Sequence, residues 1–575
     1  MTPSRISLLV AAVAALALPA AASAQSPVPI TDLGTVLQGL GTTIPTVSIQ
    51  NPPGPSDDPT PAPASCAAGA KPQPSIDGRV PAGSAANGLW CNMTMIAHQG
   101  TSGGFKVLRY VDPAGHECAY YDTALLFPTN ALNVNSNGLG VVVLDMSNPA
   151  KPEQTATLTT PAMLSPHESV MVNPARGLLA AVNGNPATYP GYVDIYDLHA
   201  DCRHPVLDYG GLLAPLGHES GFSVDGKTFY ATGTSSKSIT AIDVTDPKNP
   251  HVVDQMQIES HGMQLSDDGN RAYIADTSGN MLILDTSQIQ ARKPNPQVRE
   301  ISRITWPKAS IPQNAIPFTE AGHPYILEFD EYTAGLSNGG SGDDVGAARI
   351  IDIADETKPK VVANLRLAIN SPDNHKKYGG DPGAYEQENG FVQGYAAHYC
   401  NIPTRVNPKL VACSFIVSGL RLFDISSITK PKEVGYFVAP TQSKFENSFS
   451  PSDFGMSMPA FAPDRHEVWW TDGTSGFYVL RVADSVWNAA TKTSTPLICA
   501  SKRRFAIHLP AAVSTARVYV DGKRVAVKRV GLRLRAIVDM RKFAKKTVTV
   551  RVVGRTKGGK AFHQTRRYHT CKPGA

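Results

Sequence analysis

Four histidines stand at one place in a repeated sequence. His218 lies eight residues before Gly226 of an Asp-Gly turn, and His261 lies eight before Gly269. His167 holds the same place ahead of the NPARG turn, and His398 opens the copy that reads HYCNI. His116 is the matching residue of the earliest copy, while Asn314 and Ser457 fill the position in two others. Glu168, Glu219 and Glu117 directly follow three of these histidines. Imidazoles and carboxylates brought to one point can hold a divalent transition metal such as Zn, Cu or Fe, or act as general bases on a small substrate. The competing reading is structural: a histidine entering a strand can hydrogen-bond a neighbouring backbone, and a repeat copies such a residue everywhere. Asn314 and Ser457 break the set, so the ring of histidines is incomplete.

What must position these residues is a unit that recurs six times. An apolar run closes on Asp145, Asp197, Asp243, Asp285, Asp352 or Asp424, then comes a Ser/Thr/Pro-containing turn, then a second apolar run. The aspartates are 52, 46, 42, 67 and 72 residues apart. Their place at a strand end, before a turn, suits side-chain acceptance of the turn's N–H groups, a structural role. Upstream in each unit, two short apolar segments flank a tight turn, as in GFSVDGKTFYATG (221–233) and MQLSDDGNRAYIAD (263–276). Four short antiparallel strands at a period in the forties, stretched by insertions, spell a β-propeller blade.

The segment HECAYYDTALLFP from His116 supplies the inner strands of the Asp145 copy. A seventh, degenerate copy runs from Met456 and ends at Arg481 where Asp is expected. Its missing outer strand can come from CNMTMIAHQG at Cys91, which joins the start of the propeller to its end and removes exposed edges. The reading is all-β: a seven-bladed propeller, with six or eight blades as the alternatives, followed by a small Ig-like β-sandwich.

The boundaries follow from composition. Residues 1–24 read as a signal peptide cut near Ala24, which places the mature chain outside the cell or at its surface. Residues 25–87 are rich in Pro, Ser, Thr, Ala and Gly and read as a disordered linker. The propeller spans 88–490 and the basic sandwich 496–575. No later segment offers the uninterrupted apolar stretch of a membrane span.

Eight cysteines, an even number, suit disulfides in an exported chain. Cys400 and Cys413 flank a hairpin inside one repeat, Cys499 and Cys571 bracket the tail, and Cys91 with Cys118 is the favoured further pair. Net charge is +5, but it is unevenly placed. From Cys499 to Ala575 there are 21 Lys/Arg against Asp521 and Asp539, a net +19, which leaves −14 on the remainder. A basic sandwich of this kind suits a polyanion such as an envelope polymer, and nucleic acid is disfavoured because aromatic base-stacking groups are lacking.

Asp-closed strands followed by TDPKNP, DETKP and ADCRHP turns resemble the LVIVD-repeat family of secreted bacterial β-propellers, over about residues 89–482. The basic tail resembles Ig-like modules appended to such proteins. The resemblance implies a propeller and export, and no settled activity. GxGxxG and HExxH motifs are absent from the sequence, no P-loop or GxSxG elbow is read at a strand-to-helix turn, and Asp267-Asp268-Gly269 lacks the remaining ligands of a calcium loop. Two function classes follow: a secreted ligand- or partner-binding protein at the cell envelope, and a metal-dependent oxidoreductase or hydrolase built on the histidine cluster.

Overall fold

The aspartate closing each repeated strand serves the turn that follows. In the computed structural model, Asp145, Asp197, Asp243, Asp285, Asp352 and Asp424 each accept the backbone N–H two residues on, at 2.7–3.0 Å. That local bond ends the strand and starts the turn without help from the rest of the fold. The structure describes residues 41–47, 63–123, 140–184, 191–233, 237–307, 310–331, 345–378, 394–441, 455–491, 497–500, 504–509, 513–530, 533–542, 547–559 and 561–570. The expected signal segment 1–24 lies outside them.

Among the described residues, seven sheets share one antiparallel four-strand order. The first is built from Val107–Val111, Glu117–Asp122, Val141–Asp145 and Glu153–Leu158. The next five follow in chain order within 171–214, 219–257, 263–304, 311–365 and 397–438. The seventh combines Ala460–Ala462, Glu467–Asp472 and Gly476–Val482 with Met93–Gln99 as its outer strand. The start of the region is thus paired to its end. Two sheets gain a fifth strand: Thr42–Thr43 runs parallel to His251–Gln257, and Leu89–Cys91 pairs antiparallel with Lys432–Val438.

Strand periodicity explains the packing. Alternate residues of a middle strand face opposite neighbours, so Leu179 and Ala181 join the core against the first sheet, while Leu178, Ala180 and Val182 join the core against the third. Further cores lie between the third and fourth sheets (Tyr230, Met263), the fourth and fifth (Ile283, Ile326), and the fifth and sixth (Phe329, Tyr399). Trp470 packs with the sixth sheet, and Trp469 with Val142 and Leu144 of the first, so the circuit of cores closes. In each of the six Asp-closed strands, the register to the outer strand shifts just before the residue preceding the aspartate. Such shifts add twist and blunt the outer edge.

Three expectations need correction. Residues 63–87 are not a free linker: Val80 and Ala85 are buried in the core of the fifth and sixth sheets, and Lys71 pairs with Trp90. Cys91 does not pair with Cys118. Cys91 is bonded to Cys66 in this packed segment, and Cys118 to Cys202 in the turn region of the second sheet, with Cα–Cα separations of 5.0 and 6.0 Å. The Cys400–Cys413 pair is present across a hairpin at 4.0 Å. Cys571 lies outside the described residues. Finally, His116 does not begin an inner strand. That strand is Val107–Val111, and His116 sits in the hairpin turn after it.

Among its described residues, the tail forms a five-stranded and a three-stranded sheet around a core of its own, including Val518, Val538, Val550 and Val552. No helix among the described residues is long and apolar enough to cross a membrane.

Candidate metal centre

Short inner strands deliver the histidines to one buried place. His218 directly precedes the inner strand Glu219–Phe222, His261 stands two residues before Met263–Leu265, and His398 lies within Ala397–Asn401. His167 occupies a loop ahead of Met171–Asn173 and adopts a left-handed backbone, φ +49°. Such strain in a non-glycine residue tends to collect at functional positions.

Glu168 is the hub. Its carboxylate lies 3.8 Å from His167 Nδ1, 3.4 Å from His218 Nε2, 3.5 Å from His261 Nδ1 and 3.2 Å from His398 Nε2. Glu331 stands opposite, with Oε1 3.0 Å from His261 Nε2 and Oε2 2.9 Å from His398 Nε2. Glu219 Oε2 is 3.6 Å from His261 Nδ1. Its other oxygen accepts from Lys106 Nζ at 2.9 Å and from Asn314 Nδ2. Gln313 Nε2 donates to Glu168 Oε1 at 2.6 Å. The approach is close enough to require glycine at 262, where a Cβ would lie 1.7 Å from Glu219 Oε2.

Burial makes the electrostatics strong, and Glu168 is only 1% exposed. Burial alone would push both carboxyls up, but the surrounding imidazoles outweigh it. Glu168 is held well below the carboxylate range, and Glu331 at about 2. For His398 the burial penalty is overcome by hydrogen bonds to Glu168 and Glu331, which hold it at about 9. His261 is likewise driven down by burial yet raised well above its usual value by Glu168 and Glu331. His167 takes the opposite course: burial, then the imidazole of His218, bring it to about 3. Neutral His167 keeps a lone pair, and the protons on His261 and His398 lie between carboxylates.

Orientation is set from outside. His398 Nδ1 donates to the Met456 carbonyl at 2.8 Å, which aims Nε2 inward. Phe105 stacks on His167 at 4.3 Å, and the His167 and His218 rings are 4.3 Å apart. His218 Nε2 and His261 Nε2 face each other at 3.2 Å. His167 Nδ1, Glu168 Oε2, His218 Nδ1, Glu219 Oε2 and His261 Nδ1 are buried without a hydrogen-bond partner.

Of the residues singled out from sequence, His167, His218, His261, His398, Glu168 and Glu219 come together, and Asn314 joins them through Glu219. His116 does not: its Nδ1 donates to Asp112 Oδ2 at 2.8 Å, and Glu117 pairs with Arg109 and Arg465. Ser457 Oγ donates to the Thr471 carbonyl within its own sheet. The place expected for His116 is taken by Lys106, just ahead of the first inner strand. Glu331 and Gln313 were not foreseen. The EFDE run at the end of an apolar strand was the available signal for Glu331, since carboxylates in a buried strand demand partners.

A model of the LVIVD repeat matches residues 262–289. A search of curated proteins finds no match. Among solved structures, a chain of the Mitotic Checkpoint Complex is 12% identical over 68% of this chain and 95% of its own, with TM-score 0.42. A putative 6-phosphogluconolactonase from Bacteroides fragilis NCTC 9343 is 10% identical over 60% of this chain and 90% of its own, with TM-score 0.38. A protein from Lactobacillus plantarum is 10% identical over 62% and 89%, with TM-score 0.42. The chain carries an LVIVD repeat, a unit known from β-propeller-like proteins, within an all-β fold of many four-stranded sheets.

Proposed function

We propose that this is an exported, seven-bladed β-propeller at residues 88–490 that binds a divalent transition metal in its central channel, followed by a basic Ig-like module at 496–575. One observation carries the metal reading: the Glu168 carboxylate lies within 3.8 Å of four imidazoles that come from four different sheets or their entry loops. Several ligand atoms there are buried without a hydrogen bond, a costly arrangement that a cation relieves. The set is nitrogen and oxygen without sulfur, which suits Zn, Fe or Cu(II). In the metal-free chain the imidazolium protons occupy the space between carboxylates, so metal uptake displaces protons. A bound ion would supply a Lewis acid or a redox centre, the basis of an oxidoreductase or hydrolase activity. The test is elemental analysis of protein purified from its native host without chelators, beside the His218→Ala/His261→Ala variant. Stoichiometric Zn, Fe or Cu that is lost in the variant supports the reading, and a metal-free native protein overturns it.

A second reading concerns attachment. On the five-stranded sheet of the tail, Arg517, Arg551 and Arg555 are exposed on the face opposite the buried valines, and Arg551 stacks on Tyr519. Arg524 pairs beside Tyr519 on the same face. A flat arginine face suits phosphate- or carboxylate-bearing envelope polymers, with the propeller as the partner-binding platform. The three disulfides and the expected leader support export. Loss of envelope binding on deleting 496–575, and its weakening by salt, tests this part.

A further inference from the structure

We propose that the centre takes two divalent cations bridged by Glu168. This rests on the metal reading above and adds its nuclearity. The donors divide into two groups whose ligand atoms lie within 4.8 Å of one another: His167, Glu168 and His218, and Glu168, His261 and Glu331. Glu168 belongs to both. Its two oxygens face different partners, Oε1 toward His398 Nε2 at 3.2 Å, and Oε2 toward His218 Nε2 at 3.4 Å, His261 Nδ1 at 3.5 Å and His167 Nδ1 at 3.8 Å; His261 turns its other nitrogen, Nε2, to Glu331 Oε1 at 3.0 Å. A carboxylate so placed can bind one ion through each oxygen.

Ligand supply points the same way. Four imidazoles and three carboxylates converge, more than the four ligands of a tetrahedral ion. Divided between two ions, they leave His167 and His218 on one, and His261, His398 and Glu331 on the other, with Glu168 shared. Glu219 is held from behind by Lys106 and Asn314, and its free oxygen faces His261. His167 Nδ1 is buried and without a hydrogen bond, and it belongs to the group that a single ion between Glu331 and His261 would leave unused. A carboxylate-bridged pair at roughly 3.5–4 Å would clamp both oxygens of a phosphate or carboxylate ester, or a small redox substrate such as dioxygen.

The experiment is Zn²⁺ titration of chelator-stripped full-length protein by calorimetry, with metal counted by elemental analysis, and electron paramagnetic resonance of the Mn²⁺-loaded form. About two equivalents per chain, with a spin-coupled Mn²⁺ signal, are expected. His167→Gln/His218→Gln should retain about one equivalent and lose the coupling, Glu331→Gln should lose the other equivalent, and Glu168→Gln should abolish coupling. Saturation of the wild type at one equivalent with an uncoupled signal overturns the paired centre and leaves the metal reading standing. No uptake by the wild type overturns both. The wild-type count and signal decide the matter even where a variant fails to fold.

Discussion

Among the described residues, two places bring a histidine and carboxylates within metal-ligating distance, and they differ in how far their atoms are already satisfied. At Asp112–His116–Asp201 the acceptors are saturated. Asp112 Oδ1 takes the N–H groups of Gly115 and His116, Oδ2 takes His116 Nδ1 and the Cys202 N–H, and Asp201 takes Arg203 through both oxygens. At the central cluster, donor atoms of His167, Glu168 and His261 are buried with no hydrogen bond. The same residue types therefore form a staple in one place and, on the reading proposed above, a seat for a cation in the other. The hydrogen-bond inventory separates them, where residue type and proximity do not.

The strongest test of that contrast is metal content. His218→Ala/His261→Ala should empty the centre, and His116→Ala should leave bound metal unchanged, both read by elemental analysis. Equal loss in the two variants would erase the distinction.

Next comes pH. His398 in the metal-stripped protein is held at about 9, above its unfolded value. Its contribution is complete below about pH 6.5 and is lost as pH rises through 9, up to roughly 3 kcal/mol. Melting temperature of the stripped protein should fall across that window, and His398→Gln should flatten the fall.

Asp112 has the opposite sign. Burial raises its carboxyl, but hydrogen bonds from the Cys202 N–H and from His116 bring it below the ordinary range. Its contribution is present above the unfolded carboxylate value and is lost as pH falls through the folded one. Asp112→Asn should cost roughly 2 kcal/mol at neutral pH, with metal content intact, by denaturant unfolding. The smallest effect belongs to a repeat aspartate: Asp424→Ala removes one bond, to the Ser426 N–H, and should cost about 1 kcal/mol without touching the metal.

Much of the fold was legible because its determinants are local. The alternation in Leu178–Val182, the Asp-Gly turn at Gly226 (φ +70°) and the aspartate turns depend on neighbours within a few residues. The register of His218 and His261 could be read by counting from the following turn. His116 was misplaced because the inner strand Val107–Val111 precedes it, so the repeat was entered one strand late. Residues 63–87 looked like a linker because Ala, Pro, Ser and Gly dominate there, yet a few buried side chains, Val80 and Ala85 among them, anchor them.

The sequence by itself determined what repeats: the strand order within a unit, the turns, the histidine register, and the hairpin cysteines Cys400 and Cys413. Each rests on spacing along the chain. Tertiary structure decided what meets: Glu331, Gln313 and Lys106 at the centre, and the partners of Cys91 and Cys118. These contacts join residues brought near only by sheets packing around a closed circuit, and no local periodicity encodes which distant side chains that closure brings face to face.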